Sequence, residues 1–143
     1  MTNIFFSGSI TAGRNDAPLY RDLIVHLRKH GTVLTEYVGD LMLTARDGTG
    51  NVNDTYANLR KLLHASDVQV AEVTTPSIGV GYEIDNHVMR GKPVLCLHRL
   101  PPEKRLTAVI SGNPGVVAKH YHTVPEAMAL IDEFFANLST NGV

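Results

Sequence analysis

The chain has 143 residues, 43% hydrophobic and 19% charged, with a formal net charge of −1. That is the size and composition of one globular domain with a core of its own, and it excludes an extended disordered chain, an apolar run long enough to span a bilayer, and a basic surface for polymeric nucleic acid or anionic membrane. Cys96 is the sole cysteine, so no intrachain disulfide is possible, and the seven histidines show neither HExxH nor an evident close-paired ligand spacing, so no metal site is expected.

The start, Met1 to Phe6, has no basic segment followed by a long apolar stretch, which makes a cytoplasmic address the expectation. Apolar runs of strand length then alternate with stretches of helical period, the pattern of successive βα units around a parallel sheet. The first strand is expected at Asn3–Ser7, and the first helix after Asp16-Ala17-Pro18, where aspartate suits a cap and proline an early helical position. Leu19, Leu23 and Leu27 recur every four residues, Gly31 ends the helix, and Thr32–Thr35 supplies a second strand. From Val38 to Asn53 the glycines and the lack of a sustained period read as a long loop of the kind that often serves as a lid.

A second helix is expected at Asp54–Ala65, with Tyr56, Leu59 and Leu63 on one face, and a central strand at Asp67–Thr74. The loop Thr75–Val80 leads into a third helix with Val80, Ile84 and Val88 on its inner stripe, and Gly91-Lys92-Pro93 closes it before the strand Val94–His98. A short helix follows at Lys104–Ser111. Lys119, His120 and His122 confine a fifth strand at Val117–His122 to a sheet edge. The last helix, Pro125–Leu138, carries Met128, Ile131, Phe135 and Leu138 on its apolar face, and residues 139–143 read as a frayed tail. The expected fold is a single doubly wound α/β domain, Rossmann-like or flavodoxin-like, with a five-stranded, mostly parallel sheet.

In such a sheet ligands bind beyond the carboxyl ends of the strands, where strand order reverses. Two loops meet that condition. One is Ser7-Gly8-Ser9-Ile10-Thr11-Ala12-Gly13-Arg14, with small residues that admit a ligand to the backbone and donors in its hydroxyls and Arg14. The other is Pro76-Ser77-Ile78-Gly79-Val80-Gly81, at a helix start whose free N–H groups favour an anion. A small phosphorylated ligand suits both, although neither loop matches a known phosphate fingerprint and Gly8, Gly13, Gly79 and Gly81 equally fit tight strand-to-helix turns. Glu83 lies one helical turn beyond Gly79, so by spacing it is either a catalytic carboxylate facing the same cleft or a charge–dipole contact in the helix's first turn. Glu36 and Glu72 are each open as a structural partner or a second acid.

Taken residue by residue, Phe5-Phe6-Ser7-Gly8-Ser9-Ile10 with Gly13-Arg14, Gly31-Thr32-Val33-Leu34-Thr35-Glu36, Val70-Ala71-Glu72-Val73-Thr74 and Pro76-Ser77-Ile78-Gly79-Val80-Gly81-Tyr82-Glu83 resemble the 2′-deoxynucleoside 5′-phosphate N-hydrolase family, within the nucleoside 2-deoxyribosyltransferase superfamily. Lys92 to Leu97 and Leu106-Thr107-Ala108 continue the match in order. The resemblance implies a homodimer that cleaves base from sugar in deoxynucleoside 5′-monophosphates without metal or organic cofactor, with residues 1–143 as one N-glycosidase domain. It implies Glu83 as the nucleophile, phosphate contacts from Ser77, the Gly79 amide and donors in the run Gly8, Ser9, Ile10, Thr11, Gly13 and Arg14, further substrate contacts from Phe5 and Gly81, and Thr107 supplied by the neighbouring subunit. Phe5 stands where the family usually has a tyrosine, Thr11 where it has an arginine, and Leu59 where it has an acid on the second helix, which leaves Asp54 or Asn58 as the candidates on the base side. A deoxyribosyltransferase acting on unphosphorylated nucleosides and a nucleotide-binding module with weakened turnover are the alternatives.

Overall fold

The computed structural model describes residues 1–43, 51–101 and 105–140. Strands β1 (Asn3–Ser7), β2 (Thr32–Val33), β3 (Val68–Glu72), β4 (Val94–Arg99) and β5 (Val116–Tyr121) form one sheet in the order β2-β1-β3-β4-β5, with every pairing parallel. Helices α1 (Ala17–Leu27), α2 (Val52–Ala65), α3 (Ile78–Met89), α4 (Ala108–Ser111) and α5 (Val124–Thr140) connect or follow them. This is the expected doubly wound α/β fold, with the sheet wholly rather than mostly parallel and β5 at the edge.

The period-2 alternation of the strands sorts their side chains between two cores. Ile4, Phe6, Val68, Val70, Leu95 and Leu97 face α1 and α5, where they pack with Leu23, Leu27, Ile131 and Phe134. Ala71, Val94 and Cys96 face the other way, against Val80 and Ile84 of α3. Burial on both faces explains why the central strands read as continuous apolar runs rather than alternating ones.

Several local expectations are corrected. The second strand stops at Val33 instead of Thr35, because the Thr35 hydroxyl takes over the edge of β1: Oγ1 accepts from the Phe6 amide at 2.9 Å and donates to the Phe6 carbonyl at 2.6 Å. The chain then peels away into a 3₁₀ turn at Glu36–Gly39, inside the stretch expected to be an unstructured loop. Residues 44–50 of that expected lid, Lys104 at the start of the expected short helix, and 141–143 of the expected tail lie outside the described residues; α5 itself continues to Thr140. Asp16 does not cap α1 through its side chain, since its carboxylate pairs with Arg99 at 3.1 Å. Asn51, not Asp54, opens α2, its side chain accepting from the Asn53 and Asp54 amides. Phe134 joins Phe135 and Ile131 on the buried face of α5, where Met128 is only half-buried.

Strand order reverses between β1 and β3, so the loops leaving these two strands flank a crevice at their carboxyl ends. The first of these loops is tied to α1 by Tyr20. Its buried phenol accepts from the Ser9 amide at 3.1 Å, and its ring packs so closely over Gly8 that a Cβ there would lie 2.8 Å away. Tyr20→Phe should therefore destabilise the fold by about 1–3 kcal/mol, the cost of a buried amide left without its acceptor; the midpoint of urea unfolding measures it.

Candidate active site

A cavity of about 600 Å³ opens at that crevice, within the range of small-molecule sites. Gly8, Ile10 and Thr11 line it from the β1 loop, Ser77, Gly79, Val80 and Glu83 from the start of α3, Thr55, Asn58, Leu59, Lys61 and Leu62 from α2, and Tyr37 and Leu43 from the segment after β2. Of the residues singled out from sequence, it thus gathers Gly8, Ile10, Thr11, Ser77, Gly79, Glu83 and Asn58.

The others stand elsewhere. Phe5 is buried beneath, its ring edge-on to His87 at 5.2 Å. Ser9 is fully buried and donates from its hydroxyl to the Gly13 carbonyl at 2.7 Å, while Gly13 turns the loop with φ +133°. Arg14 spends its guanidinium on the carbonyls of Ser9, Val38, Asp40 and Leu43, so it clasps the β1 loop to the 38–43 segment instead of pointing into the cavity. Asp54 is exposed near the start of α2 and does not line the cavity. Gly81 and Thr107 line, with Ser77, a second groove of about 410 Å³ on the outer side of α3. Glu72 is a structural group: its buried carboxylate accepts from the Thr74 amide and hydroxyl at 2.7 and 2.9 Å and from the Tyr121 phenol. Glu36 pairs with Arg28 at the surface.

Helix α3 begins where Ser77 takes extended backbone angles and its Oγ accepts from the Val80 amide at 3.3 Å. The hydroxyl proton of Ser77 stays free to donate, and the Ile78 and Gly79 amides belong to the first-turn set that a helix leaves without intrahelical acceptors. A Cβ on Gly79 would meet nothing nearer than the Ser77 hydroxyl at 4.0 Å, so the turn is open to a ligand. An anion is favoured there by both the free donors and the helix dipole.

Glu83, one turn along, holds its carboxyl at the end of a relay. The Gln69 amide donates to Ser7 Oγ at 2.8 Å, and Ser7 in turn donates to Glu83 Oε1 at 2.9 Å. Below it, His87 bonds the Glu83 carbonyl through Nδ1 at 2.8 Å and Ser66 Oγ through Nε2 at 2.8 Å. A carbonyl only accepts, so Nδ1 carries the hydrogen, and the one Ser66 hydroxyl proton is shared between Nε2 and the Leu63 carbonyl at 2.9 Å. Burial pushes His87 down to about 4, which keeps that neutral tautomer across the ordinary pH range. Burial also raises Glu83 from 4.5 to about 7, with the Ser7 hydrogen bond pulling the other way. Burial and the charge of Glu83 likewise raise Tyr37. Gln69, His87, Lys61 and Tyr37 are not singled out in the sequence, and Ser7 enters there only as the first residue of the β1 loop. Ser7 and Gln69 read as strand residues there, and Lys61 shares a helical face with Asn58, a relation visible in the spacing only once that face is known to border the cavity.

Among the described residues, Glu83 is the one carboxylate that lines the cavity. A raised carboxyl held in a largely apolar, half-enclosed site beside an anion-binding helix start is the equipment of an enzyme that attacks a phosphorylated small molecule. Comparison with known proteins narrows that class. No protein-family model matches the chain. It is 48% identical over 142 residues to a Nematostella vectensis protein provisionally named 2′-deoxynucleoside 5′-phosphate N-hydrolase 1, covering 94% of this chain and 95% of the relative. A 5-hydroxymethyl-dUMP N-hydrolase of Tetraodon nigroviridis is 40% identical over 139 residues, covering 94% and 97%. The 5-hydroxymethyl-dUMP N-hydrolase of Mus musculus is 45% identical over 112 residues, covering 77% of this chain and 65% of that one. The Clostridium botulinum CMP N-glycosidase BcmB shares the fold, with a TM-score of 0.66 at 16% identity over 93% of this chain and 99% of that one. The protein is an N-glycosidase of the hydrolase class. It belongs to the 2′-deoxynucleoside 5′-phosphate N-hydrolase family.

Between pH 4.5 and about 7 the folded chain retains a proton on Glu83 that the unfolded chain releases. The stability this contributes is full below pH 4.5 and is lost as pH rises through about 7. Glu83→Gln should therefore abolish that loss, and Ser7→Ala should move it to higher pH; unfolding midpoints across pH 4–9 and carboxyl-carbon NMR titration read both.

Proposed function

We propose that the enzyme hydrolyses the N-glycosidic bond of nucleoside 5′-monophosphates, releasing a free base and a 5-phosphorylated sugar, with Glu83 as the nucleophile. The observation that carries this reading is the placement of one raised carboxyl and one anion-binding helix start, on the same helix a turn apart, in a single cavity. The phosphate sits against Ser77 and the Gly79 amide, and the sugar lies over Glu83. The ionised carboxylate bonds to C1′ as the C1′–N bond breaks, and the electron pair leaves with the base, which takes up a proton. Water then attacks C1′, the sugar–Glu83 bond breaks, and the carboxylate is restored, as in retaining glycosidases.

Where the resemblance implies an acid, the α2 wall presents Asn58, Leu59 and Lys61. Asn58 donates and accepts hydrogen bonds to a base edge without supplying a proton. The Lys61 ammonium is the charged donor on that wall, and it or water protonates the departing base. Lys61 also offsets the negative charge of the substrate, a part left open by Thr11 in the β1 loop. Phe5 offers no hydroxyl to the sugar, so ribonucleotides belong among the substrates to be tried.

The enzyme acts as a homodimer in this reading. The groove on the outer side of α3 is apolar, Ile78 and Val109 beside it are 96% and 79% exposed, and Thr107 lies on this groove and not on the cavity of its own chain. Packing a second copy there covers the apolar residues and brings its Thr107 toward the first copy's Ser77.

Incubating the protein with each deoxy- and ribonucleoside 5′-monophosphate and separating the products by chromatography should show free base from at least one of them. Glu83→Ala should lower that rate at least about a thousandfold, and kcat/KM should rise with pH through an acid limb near 7, where Glu83 ionises. Release of the base at an unchanged rate by Glu83→Ala would overturn the assignment. Ile78→Glu, at an exposed position, should convert the dimer to a monomer in sedimentation equilibrium and reduce turnover while leaving the fold intact by circular dichroism.

A further inference from the structure

At the other end of the sheet, α1 and α5 bring together a set of side chains that nucleotide hydrolysis does not use. His26 lies in the last turn of α1, and His30 follows it by four residues in the turn that continues past the helix, where its amide donates to the Leu27 carbonyl at 2.9 Å. Four-residue spacing keeps the two imidazoles on one face. Asp132 of α5 meets both: Nε2 of His26 and Nε2 of His30 each lie 2.7 Å from its Oδ1. The three ligand atoms are all within 4.8 Å of one another. We propose that His26, His30 and Asp132 form a binding site for a divalent transition-metal ion of the zinc class.

Three features support a site over a chance hydrogen-bonded cluster. First, the rings are held in place. His26 is buried, and the His30 ring stacks on Phe135 with centroids 4.5 Å apart and planes 7° from parallel. Second, both imidazoles aim the same nitrogen at one oxygen, so one ion in place of the two bridging hydrogens satisfies all three groups. At zinc bond lengths of about 2.0–2.2 Å this needs the nitrogen–oxygen separations to open to roughly 3.3 Å. Asp132, with its side chain 52% exposed, can swing to provide that. Third, the same exposure leaves one side open for water to complete the coordination. Two imidazoles and one carboxylate select Zn²⁺, Co²⁺, Ni²⁺ or Cu²⁺ over Mg²⁺ and Ca²⁺, which need more oxygen ligands.

The ion would join the end of α1 to α5 beside the amino ends of the strands, far from the cavity at their carboxyl ends. Its effect is therefore on stability and not on turnover, and it adds to the folded state by mass action. His26 and His30 stand four residues apart in the sequence, but their third partner is a carboxylate 102 residues beyond His30, which no local motif displays.

The test is thermal unfolding of the chelator-treated protein titrated with ZnCl₂, with MgCl₂ as the control. The expected result is a saturable rise in Tm with Zn²⁺ and none with Mg²⁺. Loss of even a supporting partner of a metal ligand weakens binding about 10- to 100-fold, so His30→Gln and Asp132→Asn should each weaken the Zn²⁺ midpoint at least that much. Both positions retain solvent access, which spares the fold that His26→Gln would put at risk. Co²⁺ should give visible d–d absorption with the wild type and lose it in either variant. No Tm change up to millimolar Zn²⁺, or an equal change in His30→Gln and Asp132→Asn, would overturn the proposal and leave a proton-sharing cluster in its place.

Discussion

The hydrogen bond from Ser7 to Glu83 is the constraint on which the cavity depends. A carboxyl drawn out of water prefers to be neutral, and for the proposed attack on carbon it must be charged. Burial alone would push Glu83 further from ionisation, whereas the Ser7 donor favours the charged form. That donor is available only because Gln69 occupies the hydroxyl's lone pair from the other side, and Gln69 reaches it because β1 and β3 pair with Phe5 opposite Gln69 and Ser7 opposite Ala71. A slip of one residue in that register would send Ser7 to the other core. The requirement thus runs from strand pairing to the ionisation of one group.

The rest of the site is arranged by backbone instead of by charge. Ser77 stops the extended chain and starts a helix, whose first-turn amides are left without intrahelical acceptors and so favour an anion. Arg14, which the resemblance implies as a phosphate contact, holds two loops together through their carbonyls. An arginine engaged by four backbone carbonyls cannot swing toward a ligand without leaving them unpaired, so its contribution is to the shape of the cavity.

Much of this was legible in the sequence. Strand-length apolar runs set by burial on both faces, helical stripes such as Leu19, Leu23 and Leu27, and the rule that ligands sit where strand order reverses were enough to place Gly8, Ser77, Gly79 and Glu83 around one opening. What the sequence did not disclose were relations between distant residues. The Thr35 hydroxyl replaces a stretch of strand only because Phe6 lies beside it, 29 residues away. Gln69 carries no motif, and 62 residues separate it from Ser7. Of the two base-side candidates, Asp54 and Asn58, the rotation of α2 brings Asn58 to the opening together with Lys61 and leaves Asp54 off it. Helical phase relative to a distant wall is a property of packing, and a single sequence does not state it.

Helix α2 carries one fully buried side chain, Leu63, along its 14 residues. A helix so lightly anchored can exchange most of its side chains with little penalty to the folded state, since substitutions at exposed positions usually change stability by no more than about half a kilocalorie per mole. The α2 wall of the cavity is therefore the part of this protein most open to evolutionary drift, while the strands and the start of α3 are bound by their burial to stay as they are. If the base faces α2 as proposed, new base preferences can arise there by single substitutions, and the rest of the cavity need not register the change.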